Sequence, residues 1–377
     1  MLKKKLIIAI FGIIIISSLV LIISWPLITM NPNKNSEIIY IKHTIVGPPD
    51  ATHVSYADID QDGDIDLLGT SYHDNIFCWW ENAGIGQFSY HIISNSLGYA
   101  SFLEAADMDN DGDIDLVGAV VDSNQIILFE NDGNQTFAGK ILTDTFNLVT
   151  CVSLRDIDND IDIDIIACAS GDDKVSWFEN QNNLTFMERI VTSSLGRAWE
   201  AYPVDMDNDN DIDLIALGTS PGEVCWFEND GVQNFQKHLI YSTSEMTHGI
   251  VAADFDLDGD LDIAGCSITA GTVDWWESTG NFQYTHHIID SNYDAANYVN
   301  CGDLDQDGDI DLLASANGCD QLAYWENLGN KIFSKHIITT NFDGCRLAPV
   351  DIDGDNDIDI IGVSRNPGEF AWFENIS

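Results

Sequence analysis

Carboxylates on alternate residues are the strongest chemical signal in this chain. Asp58, Asp60, Asp62, Asp64 and Asp66 fall within nine residues, with Gly63 among them. Such a stretch offers side-chain oxygens at its positions 1, 3, 5 and 9 and a backbone carbonyl at position 7. A hard cation that takes about six to eight oxygens suits that set, and calcium fits it best. The stretch returns six times: as Asp107, Asp109, Asp111, Asp113 and Asp115; Asp156, Asp158, Asp160, Asp162 and Asp164; Asp205, Asp207, Asp209, Asp211 and Asp213; Asp254, Asp256, Asp258, Asp260 and Asp262; Asp303, Asp305, Asp307, Asp309 and Asp311; and Asp351, Asp353, Asp355, Asp357 and Asp359. The copies step by 49 residues five times and then by 48. A fixed period of this length marks a repeat architecture, in which each unit buries its apolar faces against its neighbours. Asp and Gly also make ordinary polar turns, but five like charges in nine residues require a counter-ion. Up to seven calcium ions, one per repeat, are expected.

The loops are not equivalent. Gly63, Gly112, Gly259 and Gly308 stand at position 6, where a sharp turn favours positive φ. Asn210 and Asn356 tolerate that conformation, whereas Ile161 adopts it badly. The loop 156–164 is therefore expected to be the weakest. The match to an EF-hand is partial, because no Glu follows at position 12 and strands flank the loops.

The formal charge is −47, and the seven stretches hold 35 of the 62 acidic residues. Acidity of this kind repels nucleic acid and anionic lipid and makes both poor partners; no nucleic acid is expected. Several of the eight cysteines share a register, Cys78 with Cys225 and Cys168 with Cys266. Residues at one register in different repeats are not expected to meet, so these read as small buried hydrophobes. Cys151 and Cys168 flank one Asp stretch and could face each other across a hairpin. No Cys-x-x-Cys or His-rich pattern suggests zinc.

The elements that must position the loops are strands. An aromatic residue followed three places on by His or a cation recurs from Tyr40 and His43 to Phe333 and His336. A second register, Trp79-Trp80-Glu81-Asn82, recurs through to Trp372-Phe373-Glu374-Asn375. One repeat reads as four strands, 54–57, 67–71, 76–80 and 88–93, with no window of helical periodicity among them. Four short antiparallel strands repeated seven times predict an all-β, seven-bladed β-propeller over residues 38–377. The chain ends after a third strand, and the orphan strand 40–45 has the sequence of a fourth. It is expected to complete the last blade and so remove two open edges.

Ahead of the repeats, the basic tip 1–5 precedes an uncharged, apolar stretch. Its 18 residues from Leu6 to Ile23 nearly span a hydrocarbon layer of about 30 Å, and Trp25 suits an interface. Residues 6–30 are expected to form a signal anchor, a single transmembrane helix, with the lysines in the cytoplasm and a linker at 31–37. The alternative is a cleaved signal peptide and a secreted protein. Either reading exports the repeats.

These loops resemble the calcium-binding repeats of FG-GAP/VCBS propellers, including the α-subunit propeller of integrins. In that family the motif Asp-x-Asp-x-Asp-Gly-x-x-Asp joins two strands of a blade. The resemblance implies side-chain ligands at Asp58, Asp60, Asp62 and Asp66 and their counterparts, with Asp64 and its counterparts giving the carbonyl. The side chain at position 7 is Asp in every copy and has no role in that pattern. The copies lack a clear Phe-Gly…Gly-Ala-Pro signature, so they are closer to the bacterial and archaeal VCBS type than to integrins.

Ligand specificity is sought where the repeats disagree. Five residues before each Asp stretch stand His53, Phe102, Cys151, Glu200, Gly249, Tyr298 and Arg346, with Trp199 and His248 one residue further out. This ring is expected near the channel mouth, on the face opposite the Asp loops. The leading reading is a membrane-anchored, extracytoplasmic module that binds a protein or glycan, calcium being structural. The alternative is a carbohydrate-active enzyme of polysaccharide lyase or sugar dehydratase type, whose base and cation would come from that ring. The aromatic Trp-Phe-Glu-Asn strands read as scaffold, with Glu or Asn satisfying backbone groups at a strand end. No nucleophile elbow or phosphate loop supports other chemistry.

Overall fold

The residues that follow each Asp stretch, such as Asp66-Leu67-Leu68-Gly69-Thr70-Ser71, are small, branched and apolar, and every one of them is buried. A strand covered on both faces reads this way, and here the covering comes from the neighbouring blades. The computed structural model describes residues 38–377 apart from Asn183, Glu245, Asn281 and Pro367. The expected anchor and linker lie outside the described residues, among which no helix is long and apolar enough to cross a membrane.

Seven four-stranded antiparallel sheets form the blades. In blade 1, from the axis outward, the strands are Ala51–Ala57, Asp66–Ser71, Ile76–Asn82 and Phe88–Ser94. Each extends one to three residues beyond the expected span, because flanking residues such as Ala51 and Asn82 are themselves buried and paired. The last blade consists of Gly344–Val350, Asp359–Ser364 and Glu369–Asn375, and Tyr40–Ile45 pairs antiparallel with the third of these. The ring closes as the offset of the chain ends predicted.

Apolar clusters fill the spaces between blades. At the closure, Trp80 of blade 1 lies 4.4 Å from Phe370 of blade 7, ring centre to ring centre. A Cβ on Gly69 would come within 2.5 Å of Phe370, so this close approach requires glycine. The innermost strand of each blade carries a register shift near its start, between Ala51 and His53 in blade 1 and between His248 and Ile250 in blade 5. Such bulges re-aim side chains and gather at the rims of closed sheets. Here they aim the variable residues at the axis.

Candidate functional site

Each Asp loop is pre-shaped by its own carboxylates. The position-1 carboxylate accepts from the position-6 amide, as Asp58 does from Gly63 at 3.2 Å and Asp156 from Ile161 at 2.9 Å. Position 5 accepts from the amide of position 7, as Asp62 does from Asp64 at 2.9 Å. The position-6 residues have the expected positive φ: 99° at Gly63, 74° at Asn210 and 86° at Ile161.

Position 9 is the buried anchor. Asp66 accepts from the Ile59 and Asn82 amides, both at 2.8 Å, and its six counterparts repeat the pattern. Burial nevertheless pushes these carboxyls up, to about 7 for Asp66, Asp115, Asp213, Asp262 and Asp359, and to about 8 for Asp164 and Asp311. A cation placed beside them would favour their ionised form.

Carboxylate oxygens from positions 1, 3 and 9 lie within 4.8 Å of one another in the loops starting at Asp107, Asp156, Asp205 and Asp254; in the first loop positions 1, 3 and 5 do so. One buried oxygen at position 1 of Asp58, Asp107 and Asp303, and at position 3 of Asp158 and Asp256, accepts no hydrogen bond. Asp107 is only 4% exposed. An unpartnered anionic oxygen at such depth is costly without a cation, and the donor set is all oxygen, so a hard divalent ion fits. The position-7 side chains turn away from these clusters. Asp113 and Asp211 lie against Gly133 and Gly231 in the next turn of their blades, while Asp162 accepts from Asn110 at 2.8 Å. Position 7 is left with its carbonyl to offer.

At the opposite end of the channel, residues of one register meet across the axis. The expectation that they cannot holds for the cysteines of the middle strands but fails here, because innermost strands converge. The Arg346 guanidinium sits 4.4 Å from the Phe102 ring centre and 4.5 Å from that of Tyr298, and Arg346 donates to Glu200 at 2.9 Å. His53 packs on Phe102 at 4.6 Å, and Trp199 on His248 at 4.5 Å. Gly249 contributes no side chain, and Cys151 is buried in the adjoining core cluster. Sequence reasoning missed Glu104, whose carboxylate lies 3.4 Å from the His53 ring. Its signal was an acid at a position where neighbouring repeats carry Ser55 and Ser153. Burial pushes Glu104 up to about 7, holds His53 well below its ordinary value and brings His248 down to about 4, the positive charge of Arg346 adding to both histidine shifts.

A family described as FG-GAP-like repeat matches residues 58–118, 107–167, 156–216, 205–265 and 303–362. The chain belongs to the FG-GAP-like repeat family. No curated protein matches it. Among solved structures, this FG-GAP-like propeller is similar to a lectin of Agrocybe aegerita that specifically recognises non-reducing terminal N-acetylglucosamine, at 19% identity and a TM-score of 0.58, covering 83% of this chain and 88% of the lectin. It is also similar to BBS1N, solved in complex with ARL6DN, at 12% identity and a TM-score of 0.61, covering 89% of this chain and 97% of the other. Both likenesses are of fold.

The Trp-Phe-Glu-Asn strands of this FG-GAP-like chain are scaffold, with one correction. Asn82 donates to the Ile65 carbonyl and, across the blade boundary, to that of Ile352, both at 3.0 Å, so Asn does satisfy backbone groups. Glu does not. It pairs with the His or Arg of the outermost strand: Glu81 with His91, Glu179 with Arg189, Glu228 with His238, Glu277 with His287 and Glu374 with His43, at 2.6 to 3.1 Å. The histidine rings stack on the aromatic of the same blade, as His91 does on Trp79 at 4.6 Å. Cys151 and Cys168 are direct cross-strand partners, and all eight cysteines are free thiols. Three Asn-x-Ser/Thr sequences, at Asn134, Asn183 and Asn375, would permit glycosylation of an exported chain. Asn375 is buried and donates to the Ile358 carbonyl, which disfavours it as a glycan acceptor, Asn134 stands exposed at a hairpin tip, and Asn183 lies outside the described residues.

Proposed function

We propose that this chain is a membrane-anchored, extracytoplasmic binding module, rigidified by calcium in its Asp loops, that captures a glycan or protein at the opposite end of the channel. The observation that carries this reading is the division of labour between the two ends. On one end the carboxylates repeat and serve the scaffold; on the other, Phe102, Glu200, Tyr298 and Arg346 come together from four different blades. A cation held between two aromatic rings and a carboxylate is a preorganised polar and apolar surface, the kind that binds a ligand without further ordering cost. The similar lectin supports a glycan as the first ligand to try. The apolar stretch 6–30 supports anchoring, with the basic tip inside and the propeller outside.

A second reading, an enzyme of lyase or dehydratase type, draws on His53 and His248. Both have a ring nitrogen free of a proton near neutral pH, although the burial that lowers them also weakens them as bases, and Arg346 could stabilise the anion that forms. The test uses the full chain in mild detergent and millimolar calcium, presented with a panel of polysaccharides and secreted proteins. Retained and released material is followed by mass spectrometry. Retention without chemical change, weakened by Tyr298→Phe, is the expected result. Shortened or dehydrated products lost in His248→Gln at unchanged melting temperature would establish the enzyme, and neither retention nor product would overturn both readings.

A further inference from the structure

The residue at position 4 of each Asp loop stands between two ligand positions and has a left-handed backbone, with φ of 61° at Gln61, 60° at Asn110, 58° at Asn159, 61° at Asn208 and 60° at Gln306. That conformation throws its side chain sideways, onto the loop of the next blade. Gln61 donates to the Gly112 carbonyl, Asn159 to that of Asn210 at 3.4 Å, Asn208 to that of Gly259 at 3.5 Å and Gln306 to that of Asn356 at 2.6 Å. Asn110 reaches one residue further and donates to the Asp162 carboxylate at 2.8 Å. In four of these links the acceptor is the position-6 carbonyl, and its neighbour, the position-7 carbonyl, is the one the cation would take.

The chain of links has two gaps. Leu257 occupies position 4 in blade 5, with the same φ of 58° but nothing to donate, and Gly354 occupies it in blade 7. At the first gap the crossing cation among the described residues is Lys331 of blade 6, which pairs with Glu277 and lies 3.5 Å from Asp256. Lys331 competes with a metal for that carboxylate and does not order a loop for one.

We propose that the seven loops load calcium as two cooperative blocks, one of blades 1–5 and one of blades 6–7, coupled by the position-4 amides. This rests on reading the loops as calcium sites, for which the buried, unpartnered oxygens of Asp107 and its counterparts are the independent ground. A cation in one loop fixes the carboxylates at positions 3 and 5, and with them the position-4 side chain between. The next loop then binds with part of its ordering already done, and linkage makes the effect reciprocal. Each link is one hydrogen bond, worth about threefold to tenfold in the neighbour's affinity.

The experiment is a calcium titration of the metal-stripped full chain in detergent, followed by native mass spectrometry for the distribution of bound ions and by calorimetry for affinities. Gln306→Ala leaves every ligand in place and should weaken one site about threefold to tenfold. Asp305→Asn with Asp307→Asn should remove one ion and weaken one other, leaving five unchanged. Leu257→Asn, which restores a donor at a suitable φ, should join the blocks and narrow the titration. A binomial distribution of bound ions, with each disabled loop removing one ion and altering no other, would overturn the coupling alone. A wild-type chain that binds no calcium would overturn the calcium reading with it.

Discussion

Arg346 of blade 7 and Glu200 of blade 4, 146 residues apart in sequence, are joined at 2.9 Å across the propeller axis. Both side chains are nearly covered, at 14% and 10% exposure. A pair so placed ties opposite blades together, and removing one partner strands the other charge. Glu200→Gln or Arg346→Met alone should cost about 3–5 kcal/mol, and the double replacement much less. Urea unfolding of the four proteins measures this. Single losses below about 1 kcal/mol would show that the pair is solvated in the folded chain.

His248 sets an acid-side limit on stability. Its folded value, about 4, lies below the unfolded value of about 6.5, so between these the unfolded chain takes up the proton and the folded chain does not. Its contribution is complete above pH 6.5 and is lost as pH falls toward 4. Relative to pH 7.5, the wild-type chain at pH 5 should lose about 2 kcal/mol more than His248→Gln. The comparison of slopes isolates the titration from the lost packing on Trp199. Parallel pH profiles would contradict it.

Ile161 holds a φ of 86° with its side chain 67% exposed. Glycine there should relieve the strain at little packing cost, stabilising the chain by about 1 kcal/mol. Ile161→Gly should also raise calcium occupancy of the loop 156–164, counted as ions per chain at limiting calcium. An unchanged count would contradict this.

Lys331 stands 3.5 Å from the Asp256 carboxylate, at position 3 of the Asp loop in blade 5. Lys331→Gln removes the competing charge and should tighten one calcium site a few-fold at low salt, with the gain shrinking as salt screens the lysine. Calorimetric affinities that do not respond to the substitution would show that the lysine swings clear when the ion binds.

Local pattern made much of this fold legible. The spacing of the Asp stretches, the two aromatic registers and the orphan strand at Tyr40 specify blade count, strand order and closure, because each repeat encodes its own hairpins. The positive φ at position 6 could be read because glycine and asparagine mark it. Contacts between blades were not legible: the Arg346 bond to Glu200, the Glu104 contact with His53 and the amide links between loops depend on which residues the ring brings to its axis and rim. The pairing of Glu81 with His91 was hidden for a related reason. Both lie in recognisable registers, but only the strand pairing, which sets His91 opposite Trp79 and Glu81 opposite Ser89, brings the two within diagonal reach of each other.

The central claim is that calcium in the Asp loops holds the propeller rigid, and the melting temperature of the full chain in detergent, with millimolar calcium and then with excess chelator, tests it most directly. Seven loops that each lose a ligand binding only the folded state should lower the melting temperature sharply, and calcium, not magnesium, should restore it. The same melting temperature in both conditions would contradict the account.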